Sequence, residues 1–295
     1  MKKVASARIM MIISMTVFGT IGIFVRNIPL SSSEIALYRA AIASLLIGIY
    51  LLATKQKLDI KGLKKELILL FFSGMAMGFN WIFLFEAYNY TTVSVATLSY
   101  YFAPVIVIVM SPLLFREKMV VKGFICFVFS AIGVVLVTGV GSLSDGNHTK
   151  GIFFGLCAAA LYATVILLNK FIKGVSGIHR TFLQFLSAVA VLLPYVLMTD
   201  GIALSGLKGL GWANLLTVCI VHTGITYCLY FSSVKELSGE KAAILSYIDP
   251  LVAVILSVTV LEESMTVPQI VGGIMILGFT LANELPVERI FMRKK

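Results

Sequence analysis

Ten nearly uninterrupted apolar runs, at approximately 8–27, 33–53, 67–88, 93–115, 121–140, 151–172, 180–198, 211–234, 241–261 and 267–284, take up most of this chain. Each is close to the roughly 20 residues a helix needs to cross about 30 Å of hydrocarbon. One soluble core has no room for so many runs of that length. Only helices and closed barrels satisfy their own backbone polar groups in lipid, and no ten-residue alternating pattern signals a barrel. Composition agrees: 13% of the residues are charged, against about 25% in soluble domains. The expected fold class is an all-α membrane protein with ten transmembrane helices. The first run is too long for a secretory h-region and lacks a clear small-residue cleavage site, so it is expected to stay in the mature protein.

Charge predicts orientation. Lys2, Lys3 and Arg8 precede the first run, five lysines separate the second from the third, and further basic clusters follow the fourth, sixth, eighth and tenth. In this arrangement 20 of the 24 basic residues fall on one side. The positive-inside rule makes that side cytoplasmic, together with both termini of a multi-pass protein of the cell membrane. The net charge of +10 then reflects topology. It gives no support to a nucleic-acid partner, because no soluble domain exists to carry one.

The two halves of the chain resemble each other. Ala96-Thr97-Leu98-Ser99-Tyr100 returns as Ala243-Ile244-Leu245-Ser246-Tyr247 at an offset of 147 residues, while Pro104 returns as Pro250 and Glu117 as Glu263 at 146. Five helices per half is an odd number, so the second copy enters the membrane from the opposite side. The predicted organisation is a first repeat at 1–140, a polar linker, a second and inverted repeat at 151–284, and a basic cytoplasmic tail at 285–295. Inverted repeats in transporters hold their binding site near the midplane, between the halves.

Ten spans in about 300 residues, with an Ala96/Pro104 pattern nearly copied as Ala243/Pro250 and each followed by a glutamate, resemble the EamA-type branch of the drug/metabolite transporter superfamily. The resemblance covers essentially the whole chain. It implies two inverted five-helix repeats around a central cavity, to which the third, fourth, eighth and ninth helices contribute most. It also implies transport, with export of amino acids or related metabolites a common activity.

Buried charge costs roughly 2.5–3.5 kcal/mol at the bilayer centre, so it is expected to face a cavity or a partner. Asp249 lies roughly 12 Å into the ninth span at the helical rise. Pro250, next to it, deprives the Ser246 carbonyl of its helical donor. A carboxylate and a freed carbonyl at one depth suit a cation, a proton or an ammonium group. The first half has Ala103 where the second has Asp249, so one carboxylate marks the site. His222, Thr226 and Tyr230 share one face of the eighth span, and an imidazole near Asp249 suits proton relay; packing among neighbouring helices is the alternative. Asn80 and Trp81 in the third span, Tyr101 in the fourth and Tyr162 in the sixth complete the candidate lining. Aromatic walls suit cationic or aromatic ligands.

Other polar residues read as structural or gating. Arg39 and Glu86 have depths that allow a salt bridge. Pro104 and Pro250 are pseudo-symmetric mates in the fourth and ninth spans. Glu117 and Glu263 are expected to determine the fold of the repeat, by pairing with lysines such as Lys118 or Lys122 or by capping the next helix. The four cysteines have no metal-ligand spacing, and no metal or cofactor is expected. A single histidine inside a span and the lack of a Gly-x-Ser-x-Gly elbow argue against an intramembrane enzyme. No attached output domain supports a receptor. The expected function is a secondary carrier of a small organic metabolite, amino-acid or amine-like, working by alternating access in export and coupled to protons. The alternative is a permease for cationic drugs or other metabolites working in uptake. Its partners are the small-molecule substrate and the lipid bilayer, and a homodimer is open to test.

Overall fold

In a computed structural model, residues 2–56, 58, 62–115, 121–138, 146–175 and 177–285 are described. Among them are α1 (Lys2–Gly19), α2 (Ile21–Arg26), α3 (Ser32–Ala53), α4 (Lys64–Tyr90), α5 (Val93–Tyr100), α6 (Ala103–Phe115), α7 (Val121–Thr138) and α8 (Gly146–Phe171). The second part contains α9 (Gly177–Thr199), α10 (Gly209–Leu216), a π-helical stretch (Thr217–Ile225), α11 (Thr226–Val234), α12 (Gly239–Ser246), α13 (Ile248–Thr259) and α14 (Val267–Glu284). No strand occurs among the described residues. The protein is an all-α membrane protein. Large apolar side chains such as Leu52, Met198 and Ile274 point outward, as expected where lipid rather than water is the solvent.

Nine helices among the described residues are long and apolar enough to cross a membrane, and the expected ninth span appears as the shorter apolar segment Ile244–Thr259. The fourth and ninth spans are not continuous. Each breaks one turn before its proline, so that α5 ends at Tyr100 and α12 at Ser246. A proline ring collides with the carbonyl four residues earlier, which belongs to Tyr100 for Pro104 and to Ser246 for Pro250. Both prolines then lie in the first turn of the following helix, where the missing N–H costs nothing. Helix starts carry local signals as well. Ser31 with Glu34, and Thr266 with Gln269, form capping boxes, and the Thr92 side chain caps α5.

The halves interleave. α4 packs on α8, and the corresponding helix of the second half, from α10 to α11, packs on α1. α3 packs on its counterpart α9 and α7 on its counterpart α14, while α5, the first segment of the fourth span, packs on α13, the second segment of the ninth. Small residues allow the closest approaches: a Cβ on Gly133 would lie 2.7 Å from the Gly272 carbonyl oxygen, and one on Gly19 would lie 2.5 Å from that of Asp249. Glu117, residues 286–295 of the expected tail at 285–295 and residues 141–145 of the linker lie outside the described residues, and the rest of the linker begins α8.

Candidate functional site

The breaks in the fourth and ninth spans meet at the centre. The Tyr101 hydroxyl, just past the end of α5, donates to Asp249 Oδ2 at 2.6 Å. Two cavities share this junction. The larger, about 650 Å³, runs from Tyr101, Tyr162 and Asp249 past Pro104 and Ser246 to Lys122, Lys170 and Glu284. Lys122 and Glu284 lie at the ends of α7 and α14, so this cavity reaches the end of the bundle that holds most of the basic residues. The smaller, about 200 Å³, lies on the other side of Asp249 and is lined by Arg39, Asn80, Trp81, Tyr227 and Tyr230 among others.

Further along α13 than the smaller cavity lies a polar cluster that ties the two halves together. The Ser94 hydroxyl hydrogen-bonds Ser257, Ser257 hydrogen-bonds Glu263, and Glu263 pairs with Arg26. Glu263 also accepts from the backbone N–H of Val93 at 2.9 Å, which places a carboxylate at the positive end of α5. Depth along α13 therefore runs from Asp249, shared by both cavities, through Ala253 at the smaller one, to Ser257 in the cluster. The larger cavity reaches one end of the bundle, and the Arg26–Glu263 cluster lies toward the other.

The predicted residues divide into three groups. Asp249, Tyr101, Tyr162 and Ser246 line both cavities, and Asn80, Trp81 and Tyr230 line the smaller. Ring contacts continue the wall: Tyr100 lies 5.3 Å from Tyr162 between centroids, and Phe18 lies 5.2 Å from Tyr227. Asn80 also ties α4 to α8, donating to the Ala158 carbonyl at 2.6 Å. His222 and Thr226 line neither cavity. His222 is buried, with Nε2 2.7 Å from the Thr20 hydroxyl and Nδ1 3.2 Å from the Thr217 carbonyl oxygen. Thr226 donates to the Val221 carbonyl at 2.6 Å. Both sit at or beside the π-helical stretch, whose wider turns rotate side chains away from the face that regular helical spacing assigns.

Two pairings differ from expectation. Glu86 accepts from Ser32 at 2.6 Å and makes no ion pair with Arg39. Arg39 points inward instead: its Nε donates to Thr223 at 2.9 Å, and its guanidinium lies 4.3 Å from the centroid of Trp81. Depth along two helices was comparable, but they present these residues on different faces. Glu263 pairs with Arg26 from the first half, not with a neighbouring lysine. The cavity position of Arg39 and the vestibule lysines Lys122 and Lys170 had no signal in the sequence beyond their charge.

A family model described as the EamA-like transporter family matches the chain twice, over residues 5–139 and 149–283. The chain belongs to this family. Similar proteins include the Bacillus subtilis transporter YxxF, 32% identical over 279 residues that cover 94% of this chain and 89% of that one. A transporter from Archaeoglobus fulgidus is 28% identical, covering 92% and 93% of the two chains. The Salmonella typhimurium inner membrane transporter YicL is 25% identical over 94% of this chain and 95% of its own. A crystal structure of a protein 14% identical in sequence superimposes with a TM-score of 0.65 over 99% of each chain, which shows a shared fold. This EamA-family protein is a multi-pass membrane transporter and not an enzyme.

Proposed function

We propose that this transporter is a secondary carrier that exports a small amine-bearing metabolite, amino acids foremost, across the plasma membrane by alternating access. The observation that carries the reading is Asp249. It is a carboxylate without an ion pair among the described residues, at the junction of two cavities with aromatic walls. An ammonium group is the complement of such a site, through charge and through cation–π contact with the surrounding rings. With both termini cytoplasmic, as the basic residues suggest, the larger cavity faces the cytoplasm and the Arg26–Glu263 cluster faces outward. That arrangement receives cytoplasmic solute. The two-fold interleaving supports rocking of the two repeats about the site.

Proton coupling is proposed through the same carboxylate, which would carry either the proton or the ammonium group. The test is flux in proteoliposomes under an imposed pH gradient. Asp249→Asn should abolish the pH-driven component, and unchanged proton dependence in that variant refutes the coupling. The substrate class is tested by a thermal-shift screen of the purified chain against amino acids, amines and sugars. A hit lost in Asp249→Ala and kept in Glu86→Ala supports the site; a hit kept in both places it elsewhere.

A further inference from the structure

We propose that Arg39 is the second anchor of the site, holding a carboxylate while Asp249 holds an ammonium group, so that the smaller cavity selects zwitterionic α-amino acids over plain amines. The inference rests on the reading of Asp249 as an amine site and adds the group that makes the site selective.

Arg39 and Asp249 line one cavity of about 200 Å³ and are not joined by an ion pair. Among the described residues the one salt bridge lies elsewhere, between Arg26 and Glu263. Opposite charges inside a low-dielectric bundle gain by pairing with each other or with a ligand, and cost free energy when left apart. Here each is held in place by a neutral neighbour. Asp249 accepts from Tyr101 on one oxygen. The Arg39 guanidinium lies over the Trp81 ring and spends its Nε–H on Thr223. Its two terminal nitrogens make no hydrogen bond to any described residue, although the side chain is 5% exposed. That leaves a planar fork of donors, the geometry that takes a carboxylate in two parallel bonds.

A ligand that carries both charges complements this arrangement at both ends. A plain amine would leave the guanidinium desolvated and unanswered, and a plain carboxylic acid would do the same to Asp249. The rest of the wall mixes apolar residues, Phe18, Met77, Leu84 and Ala253 among them, with tyrosines and with Asn80, Thr97 and Ser246. Such a wall takes the body of either an apolar or an aromatic amino acid.

Binding to the purified full-length chain is measured with two matched series: L-leucine, 3-methylbutylamine and 4-methylpentanoate, and L-phenylalanine, phenethylamine and 3-phenylpropanoate. The expected result is that at least one amino acid binds roughly tenfold or more tighter than both of its single-charge analogues, as a charge-assisted pair allows. In Arg39→Gln the amino acid should lose its advantage over the amine, while the amine binds no more weakly than in the parent chain. Retained amine binding shows that the variant is folded. Should Arg39→Gln fail to fold, the parent chain's own ranking of the three probes decides.

Equal binding of amine and amino acid by the parent chain overturns the role of Arg39 and leaves the amine site standing. So does a preference that survives in Arg39→Gln. If neither amines nor amino acids of either series bind, the amine reading of Asp249 falls, and the clamp falls with it.

Discussion

Tyr101 and Asp249 come from opposite halves of the chain, and the 2.6 Å hydrogen bond between them joins the broken fourth span to the broken ninth. Each residue owes its place to a proline-induced break, so the bond depends on both copies of the repeat bending at corresponding points. Removing the hydroxyl with Tyr101→Phe keeps the ring and leaves the carboxylate without its fixed donor. Hydrogen bonds to charged groups contribute about 1.5–3 kcal/mol to stability, so the melting temperature should fall by several degrees, and amine or amino-acid binding should weaken because the carboxylate loses the donor that fixes it. Titration of the purified variant checks this, and undiminished affinity would mean that Asp249 is positioned by something else.

The Arg26–Glu263 cluster gives a stability prediction. Glu263 is nearly buried and serves Arg26, Ser257 and the Val93 amide together. Glu263→Gln should lower the melting temperature by several degrees, corresponding to about 1–3 kcal/mol. Arg26→Gln should cost less, because Arg26 is 34% exposed and exposed partners of ion pairs contribute little. The reverse order of the two melting shifts would contradict this account of the cluster.

The partners of Glu86 can be separated by a double-mutant cycle. Glu86→Gln combined with Ser32→Ala should show a coupling of about 0.5–1.5 kcal/mol, the size of one hydrogen bond. Combined with Arg39→Gln it should be additive within about 0.5 kcal/mol. Denaturation of the detergent-solubilised variants provides the four corners of each cycle. Strong coupling to Arg39 would restore the salt bridge that depth alone suggested.

Gly19 tests how closely α1 must approach the site. A side chain there meets the Asp249 carbonyl oxygen and Val252, neither of which can yield without moving the start of α13. Gly19→Val should therefore lose at least about 1–3 kcal/mol of stability, as overpacked positions do, and transport should fall further than stability explains. Counterflow assays alongside melting curves distinguish the two effects.

Much of this architecture was visible in the residues. Run lengths indicated the helical class and Pro250 the freed Ser246 carbonyl, but the fourth and ninth spans read as continuous helices, and the structure breaks both; Asp249 lies where the two cavities join. What escaped besides the breaks was angular. Counting residues gives height in the membrane but says nothing of which way a helix is turned, and this is why Arg39 was assigned to Glu86. For His222 the obstacle was local: a π-helical stretch invalidates the face that a 3.6-residue period predicts, and nothing in Thr217–Ile225 announces one. Glu263 was recognised as structural, but its partner Arg26 lies across the chain, where a search for nearby lysines does not look.

The interleaving of the repeats also constrains how the molecule can be made. α3, α5 and α7 each complete their packing against helices of the second half, and α4 leans on α8 and α9. A nascent chain that has delivered only its first five spans holds Arg39 and Asn80 with their neighbours still to come. Its tertiary packing is completed only when the helices of the second half join it.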